Sequence, residues 1–69
     1  MTQCERILKY IDDFGSISSM QAFSDLGVTR LASRIHDLKR MGYQIESETR
    51  QSVNRYGEST HYSVYRRLV

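Results

Sequence analysis

The stretch "GVTRLASRIHDLKRMGYQIES", residues 27–47, decides how this chain is organised. At about 100° per residue, Leu31, Ala32, Ile35 and Leu38 fall in one arc. Arg30, Ser33, Asp37 and Arg40 fall in the opposite arc, flanked by Arg34 and His36. That separation predicts an amphipathic helix over about 30–41, capped by Thr29 and stopped by Gly42. Beyond Gly42 the period shortens to two. "YQIESE", residues 43–48, sets Tyr43 and Ile45 against Gln44 and Glu46, which is the pattern of a half-buried strand.

Upstream, Thr2 and Glu5 form a T-x-x-E capping box ahead of a stripe of Cys4, Ile7, Leu8, Ile11 and Phe14. A helix over about 3–13 follows, ended by Gly15. In "GSISS" the lone apolar Ile17 has room for only one or two strand pairings. Ser18 and Gln21 make a second capping box, opening a helix over about 19–25 with Ala22, Phe23 and Leu26 inward. Gly27, Val28 and Thr29 then form a three-residue turn. Downstream, "THYSVY", residues 60–65, alternates again and reads as a second strand. The polar "TRQSVNRYGES" between the strands reads as a loop too long for a tight hairpin, with Arg50, Gln51, Asn54 and Arg55 at its tip. No proline, repeat or low-complexity run marks a linker, so residues 1–69 are expected to be a single α+β domain.

Composition narrows the function. A chain of 69 residues buries only about 60% of its unfolded surface, which leaves little room for a deep catalytic cleft. Nothing approaches the roughly 18 apolar residues of a membrane span, and the N-terminus has no secretory or transit pattern, so a cytoplasmic protein is expected. Cys4 is the sole cysteine, expected as a core or half-buried thiol; with His36 and His61 scattered, no metal site is expected. No nucleophile elbow, zinc-protease helix or phosphate loop is present, so neither an enzyme, a cofactor nor a small-molecule ligand is expected.

The net charge of +2 hides an asymmetry. Residues 1–28 hold Arg6 and Lys9 against Glu5, Asp12, Asp13 and Asp25. Residues 29–69 hold Arg30, Arg34, Lys39, Arg40, Arg50, Arg55, Arg66 and Arg67 against Asp37, Glu46, Glu48 and Glu58. The excess is almost all arginine, the side chain suited to bidentate recognition of phosphate and guanine.

Two helices joined by a short glycine-containing turn, the second bearing a polar arginine face, describe a helix-turn-helix. The strand pair after it would be a wing, which makes the expected fold a winged helix-turn-helix of three helices and a small antiparallel sheet. Helix 30–41 would enter the major groove of double-stranded DNA, with its N-terminus at Thr29 and Arg30 on a phosphate. Arg30 and Arg34 have the reach to bind guanine bidentately. Asp37 would pair with Arg34 or Arg40, or accept from a cytosine amino group. The wing, 49–58, with Arg50 and Arg55, would lie on backbone or minor groove.

At residues 7–47, "ILKYIDDFGSISSMQAFSDLGVTRLASRIHDLKRMGYQIES", and into the Tyr-rich closing strand, the chain resembles the small winged helix-turn-helix domains common among phage and prophage proteins. Their pattern is an apolar helix, G-S-I-S or G-S-I-T, a short helix ending L-G-[VI]-T-R-L, then A-x-R-I-x-D-L-x-x-x-G-Y-x-I. This resemblance implies DNA binding and carries over Arg30, Ser33 and Arg34 as contacts; it supplies neither an operator nor a biological process, and the role expected here is that of a phage or prophage-derived transcriptional regulator or recombination accessory factor. The chain departs from broader winged-helix repressors in its shortened turn between the second and third helices.

A different reading is a protein-interaction module, such as a phage-encoded inhibitor of a host protein, with Tyr10, Tyr56, Tyr62 and Tyr65 forming an exposed patch. Joint exposure of Tyr56 and Tyr65 would favour it. Useful specificity from so small a reader often needs a homodimer or a partner protein, for which the first helix or "YRRLV" could serve.

Overall fold

A computed structural model describes residues 1–68. The elements run α1 (Gln3–Phe14), β1 (Ile17–Ser18), α2 (Ser19–Leu26), α3 (Leu31–Arg40), β2 (Ile45–Val53) and β3 (Ser59–Arg67). The sheet is antiparallel with order β1-β3-β2, so β3 bonds to both other strands. The lone Ile17 pairs with Tyr65 and Ser18 with Val64, which is all the strand that "GSISS" can supply.

Ile7 and Ile11 of α1, Ile17 of β1, Ala22 of α2, Leu31, Ile35 and Leu38 of α3, and Ile45 of β2 form the core, joined by Val28 from the turn. Each fully buried aliphatic side chain is worth about 1.5–3 kcal/mol relative to exposure. Two apolar residues expected inward face solvent: Phe14 is 71% exposed and Phe23 62%. Phe14 is the last residue of α1, beyond the reach of the core, and Phe23 sits at the edge of the apolar stripe of α2, where a body this thin has no second layer to cover it. Phe14 stacks against Tyr10 instead, ring centroids 4.7 Å apart. Ala32 is exposed as well, since Leu31, Ile35 and Leu38 already fill the inward arc of α3.

The Ser18–Gln21 capping box forms in both directions. The Thr2 box does not: Thr2 Oγ1 accepts from the Glu5 N–H, but its hydroxyl donates to the Glu5 carboxylate and leaves its own backbone N–H out of the exchange. Gly27 ends α2, and the Val28 N–H returns to the Ala22 carbonyl at 2.9 Å, turning Val28 into the core. Thr29 is not the cap of α3. Arg30 holds that position with no side-chain cap hydrogen bond, because burial of Val28 and Leu31 sets the chain path and lengthens the turn to residues 27–30.

α3 closes in a Schellman motif. Gly42, at φ 102°, lets its own N–H reach the Lys39 carbonyl and the Tyr43 N–H reach that of Leu38, both at 3.1 Å. Tyr43 thereby packs on the core, and the Arg67 guanidinium lies 5.2 Å from its ring centroid. Arg67 also contacts Asp12 of α1 at 3.5 Å, tying the exit of α3 to both β3 and α1.

Most of the stretch expected as a loop, 49–59, is strand. β2 and β3 pair continuously from Ile45–Arg67 to Val53–Ser59. Only Asn54–Glu58 turn, as a type I turn with Gly57 at φ 79° supplying the bulge residue. Asn54 organises it: its Oδ1 accepts from the N–H groups of Tyr56 at 2.9 Å and Glu58 at 3.0 Å. Alternation failed to flag this region because nothing packs on it, so neither face selects apolar residues. The hairpin extends the molecule to 39 Å against 22 Å and 21 Å in the other directions.

Candidate nucleic-acid interface

The candidate surface has two parts, the outer face of α3 and the end of the hairpin. On α3, the burial of Leu31, Ile35 and Leu38 forces Ser33, His36 and Arg40 outward, one turn apart. Arg30 precedes them at the helix start, and Thr29 lies exposed just before it. With no side-chain cap, the first N–H groups of α3 remain free to meet an anion.

Arg34 and Asp37 stand beside this ridge, half-buried, in an i,i+3 ion pair at 3.3 Å. The Arg34 Nε is enclosed and has no hydrogen-bond partner, so the guanidinium is held by its stem and by Asp37. Asp37 takes the first of its expected roles, as partner of an arginine.

Arg50 and Arg55 do not share a position. Arg55 stands at the exposed turn, whereas Arg50 lies within β2, four residues before the turn begins at Asn54. Arg50 belongs to a cross-strand ladder: Arg66 contacts Glu46 at 2.6 Å and Glu48 at 3.2 Å, and Arg50 contacts Glu48 at 3.4 Å. Its charge is spent along the shaft. Asn54 is likewise spent on the turn.

This pattern extends over the molecule. Among the described residues every Asp and Glu side chain is engaged. Asp12, Asp13, Asp37, Glu46 and Glu48 hold basic partners, Asp25 accepts from the Tyr10 hydroxyl, Glu5 from Thr2 and Glu58 from Asn54. Arg30, Lys39, Arg40 and Arg55 hold no such partner, nor does Arg6 on α1. Four of these five unpaired cations thus lie on or beside α3 or at the hairpin tip. Lys39 was not singled out in the sequence because the wheel sets it between Ile35 and Ala32, on the flank that the exposure of Ala32 leaves open.

The tyrosines do not form one patch. Tyr56 is 82% exposed at the hairpin tip, Tyr65 packs against the core, and Tyr10 is half-buried between α1 and α2. The Tyr10 hydroxyl donates to Asp25 at 2.6 Å, and that bond to a carboxylate raises the phenol above its ordinary pKa. No group of His, Cys, Asp and Glu among the described residues has the arrangement of a metal site, and Cys4 is a half-buried free thiol.

Three helices, a short α2–α3 turn and a β-hairpin following α3 fit one architecture, and the model of the winged helix-turn-helix domain family matches residues 2–66. The chain belongs to the winged helix-turn-helix family. No curated protein and no solved structure matched it. Winged helix-turn-helix domains are generally DNA-binding, typically non-enzymatic modules. In those terms α3 is the second helix of the helix-turn-helix and the β2–β3 hairpin is the wing. No helix among the described residues is long and apolar enough to cross a membrane.

Proposed function

We propose that this winged helix-turn-helix domain binds double-stranded DNA with α3 in the major groove and the wing tip on the neighbouring backbone or minor groove. The observation that carries the reading is the distribution of charge: among the described residues every Asp and Glu side chain is engaged within the chain, and the cations without such a partner are concentrated on α3 and at the tip. Arg30 and the uncapped helix start face a phosphate; Ser33 and Arg40 face base edges, with Lys39 and Thr29 on the flanking backbone. Asp37 holds Arg34 at a fixed angle to the groove, an arrangement that favours directional guanine contact over loose attraction to phosphate. Arg55 is the wing contact, and Arg50 supports the shaft that carries it. The biological reading that fits is a cytoplasmic phage- or prophage-derived transcriptional regulator or recombination accessory factor.

The test is fluorescence anisotropy of labelled duplex DNA over a salt series. Binding whose log K falls against log[salt] with a slope of about −3 to −6 is expected for a footprint of several phosphates. Arg55→Ala should reduce that slope by about one without changing sequence preference. Absence of binding at low ionic strength would refute the reading and turn the search to a protein partner.

A further inference from the structure

The outer edge of β2 pairs with no strand among the described residues, is exposed from Thr49 to Val53, and has a sequence that complements itself. The Asn54 N–H donates to the Glu58 carbonyl at 3.0 Å and the Leu68 N–H to the Gln44 carbonyl at 2.8 Å, fixing the hydrogen-bonded pairs at both ends of the hairpin. Antiparallel pairs alternate, so Glu46, Glu48, Arg50 and Ser52 bond to β3. The N–H and C=O groups of Ile45, Ser47, Thr49, Gln51 and Val53 therefore point away from the sheet, where order β1-β3-β2 supplies no further strand.

Proteins usually protect such an edge by keeping it short, bulged, or marked with proline or charged side chains, lysine above all. β2 is nine residues long, pairs without a bulge and lacks lysine and proline, and its three charges, Glu46, Glu48 and Arg50, are of mixed sign, so a second copy can match them. We propose that a second copy of this chain pairs with it, edge to edge and antiparallel, about a two-fold axis through Thr49.

In that register Glu48, which holds Arg50 and Arg66 of its own hairpin, also lies opposite Arg50 of the second copy, so the ladder of ion pairs continues across the interface, and the symmetry makes the contact twice. Ile45 lies opposite Val53, which is 67% exposed in the single chain. Glu46 meets Ser52, Ser47 meets Gln51, and Thr49 meets its own counterpart. Moving the axis to Glu48 sets two glutamates face to face, and moving it to Arg50 sets two arginines face to face. An axis between residues mismatches bonding and non-bonding positions. Only the Thr49 axis pairs all nine residues with opposite charges aligned. The interface leaves the tip, Arg55–Gly57, outside the paired strands, so it does not depend on the DNA reading.

Sedimentation velocity of the full chain across a concentration series decides the proposal. The wild type should pass from 8.1 kDa to twice that mass. Glu48→Arg and Arg50→Glu each set like charges opposite one another at two symmetric places, and each should weaken association by about tenfold or more. An equimolar mixture of the two variants should dimerise again, since each then meets its opposite. Thr49→Pro tests the same edge through the backbone, by removing an outward N–H that the hairpin does not use, and should give a folded monomer. A wild type that stays monomeric throughout, a dimer surviving either charge reversal, or a mixture that fails to re-associate would overturn the proposal. If circular dichroism shows the charge variants unfolded, persistence of the dimer in Thr49→Pro would overturn it.

Discussion

In the helical body Ile7, Ile17 and Leu38 have no exposed surface, whereas along the hairpin every residue from Thr49 to Ser63 faces solvent. The body is held by burial. The outer hairpin is held by its ladder, by the Glu46–Arg66–Glu48–Arg50 chain of ion pairs and by the Asn54 turn. Cross-strand pairs contribute about 0.2–1 kcal/mol each, and a two-strand ribbon on its own is marginally stable. Global stability therefore belongs to one region, and the placement of the outermost cation to the other.

Substitutions can break this contrast or sharpen it. The largest effect is expected from Leu38→Ala, which opens a cavity among α1, α3 and the sheet and should cost about 2–5 kcal/mol in urea denaturation. For so small a domain that is much of the total. Gly42→Ala should cost about 1–2 kcal/mol, because φ 102° strains any residue with a Cβ; open space around Gly42 makes this a backbone effect alone. Asn54→Ala should leave the urea-derived stability within about 0.5 kcal/mol of wild type while amide exchange accelerates across residues 50–62. A global loss as large as that of Leu38→Ala would mean that body and hairpin are one cooperative unit.

The smallest effect is at the α1–α2 contact. The Asp25 carboxylate raises the Tyr10 pKa in the folded protein, so the protonated phenol is favoured by folding. That contribution is fully present below the unfolded tyrosine value of about 10 and is lost as pH rises through the raised folded value. Phenolate absorbance should show one late-titrating tyrosine, and Asp25→Asn should bring it earlier. Unchanged titration would remove Tyr10 from the account.

The helices were legible in the sequence because a core selects one stripe per helix, and Ile7, Ile11, Leu31, Ile35 and Leu38 mark those stripes. Phe14 and Phe23 misled, since side-chain hydrophobicity does not say whether a neighbour exists to cover it. The outer hairpin was illegible for the converse reason: strand residues with two wet faces need no alternation, and only Asn54 and Gly57 carry a local signal. For the candidate site, the wheel gave Arg30, Ser33 and Arg40 their outward place. Arg50 could not be sorted from Arg55, because its ion pair depends on strand register. Asp37 was readable as a partner for an arginine because three residues' separation on a helix brings the two side chains together.

Among the described residues β3 follows every other element, yet β1 and β2 have no sheet partner besides it. The three helices can form their mutual contacts before the sheet closes, but Ile17 must wait for Tyr65. That closure spans most of the sequence and carries the loop-entropy cost that sets the folding rate. Until residues 59–67 pair, an isoleucine destined for the centre of the protein has no strand beside it. The folding chain therefore passes through a stage of aggregation risk that ends only when β3 docks.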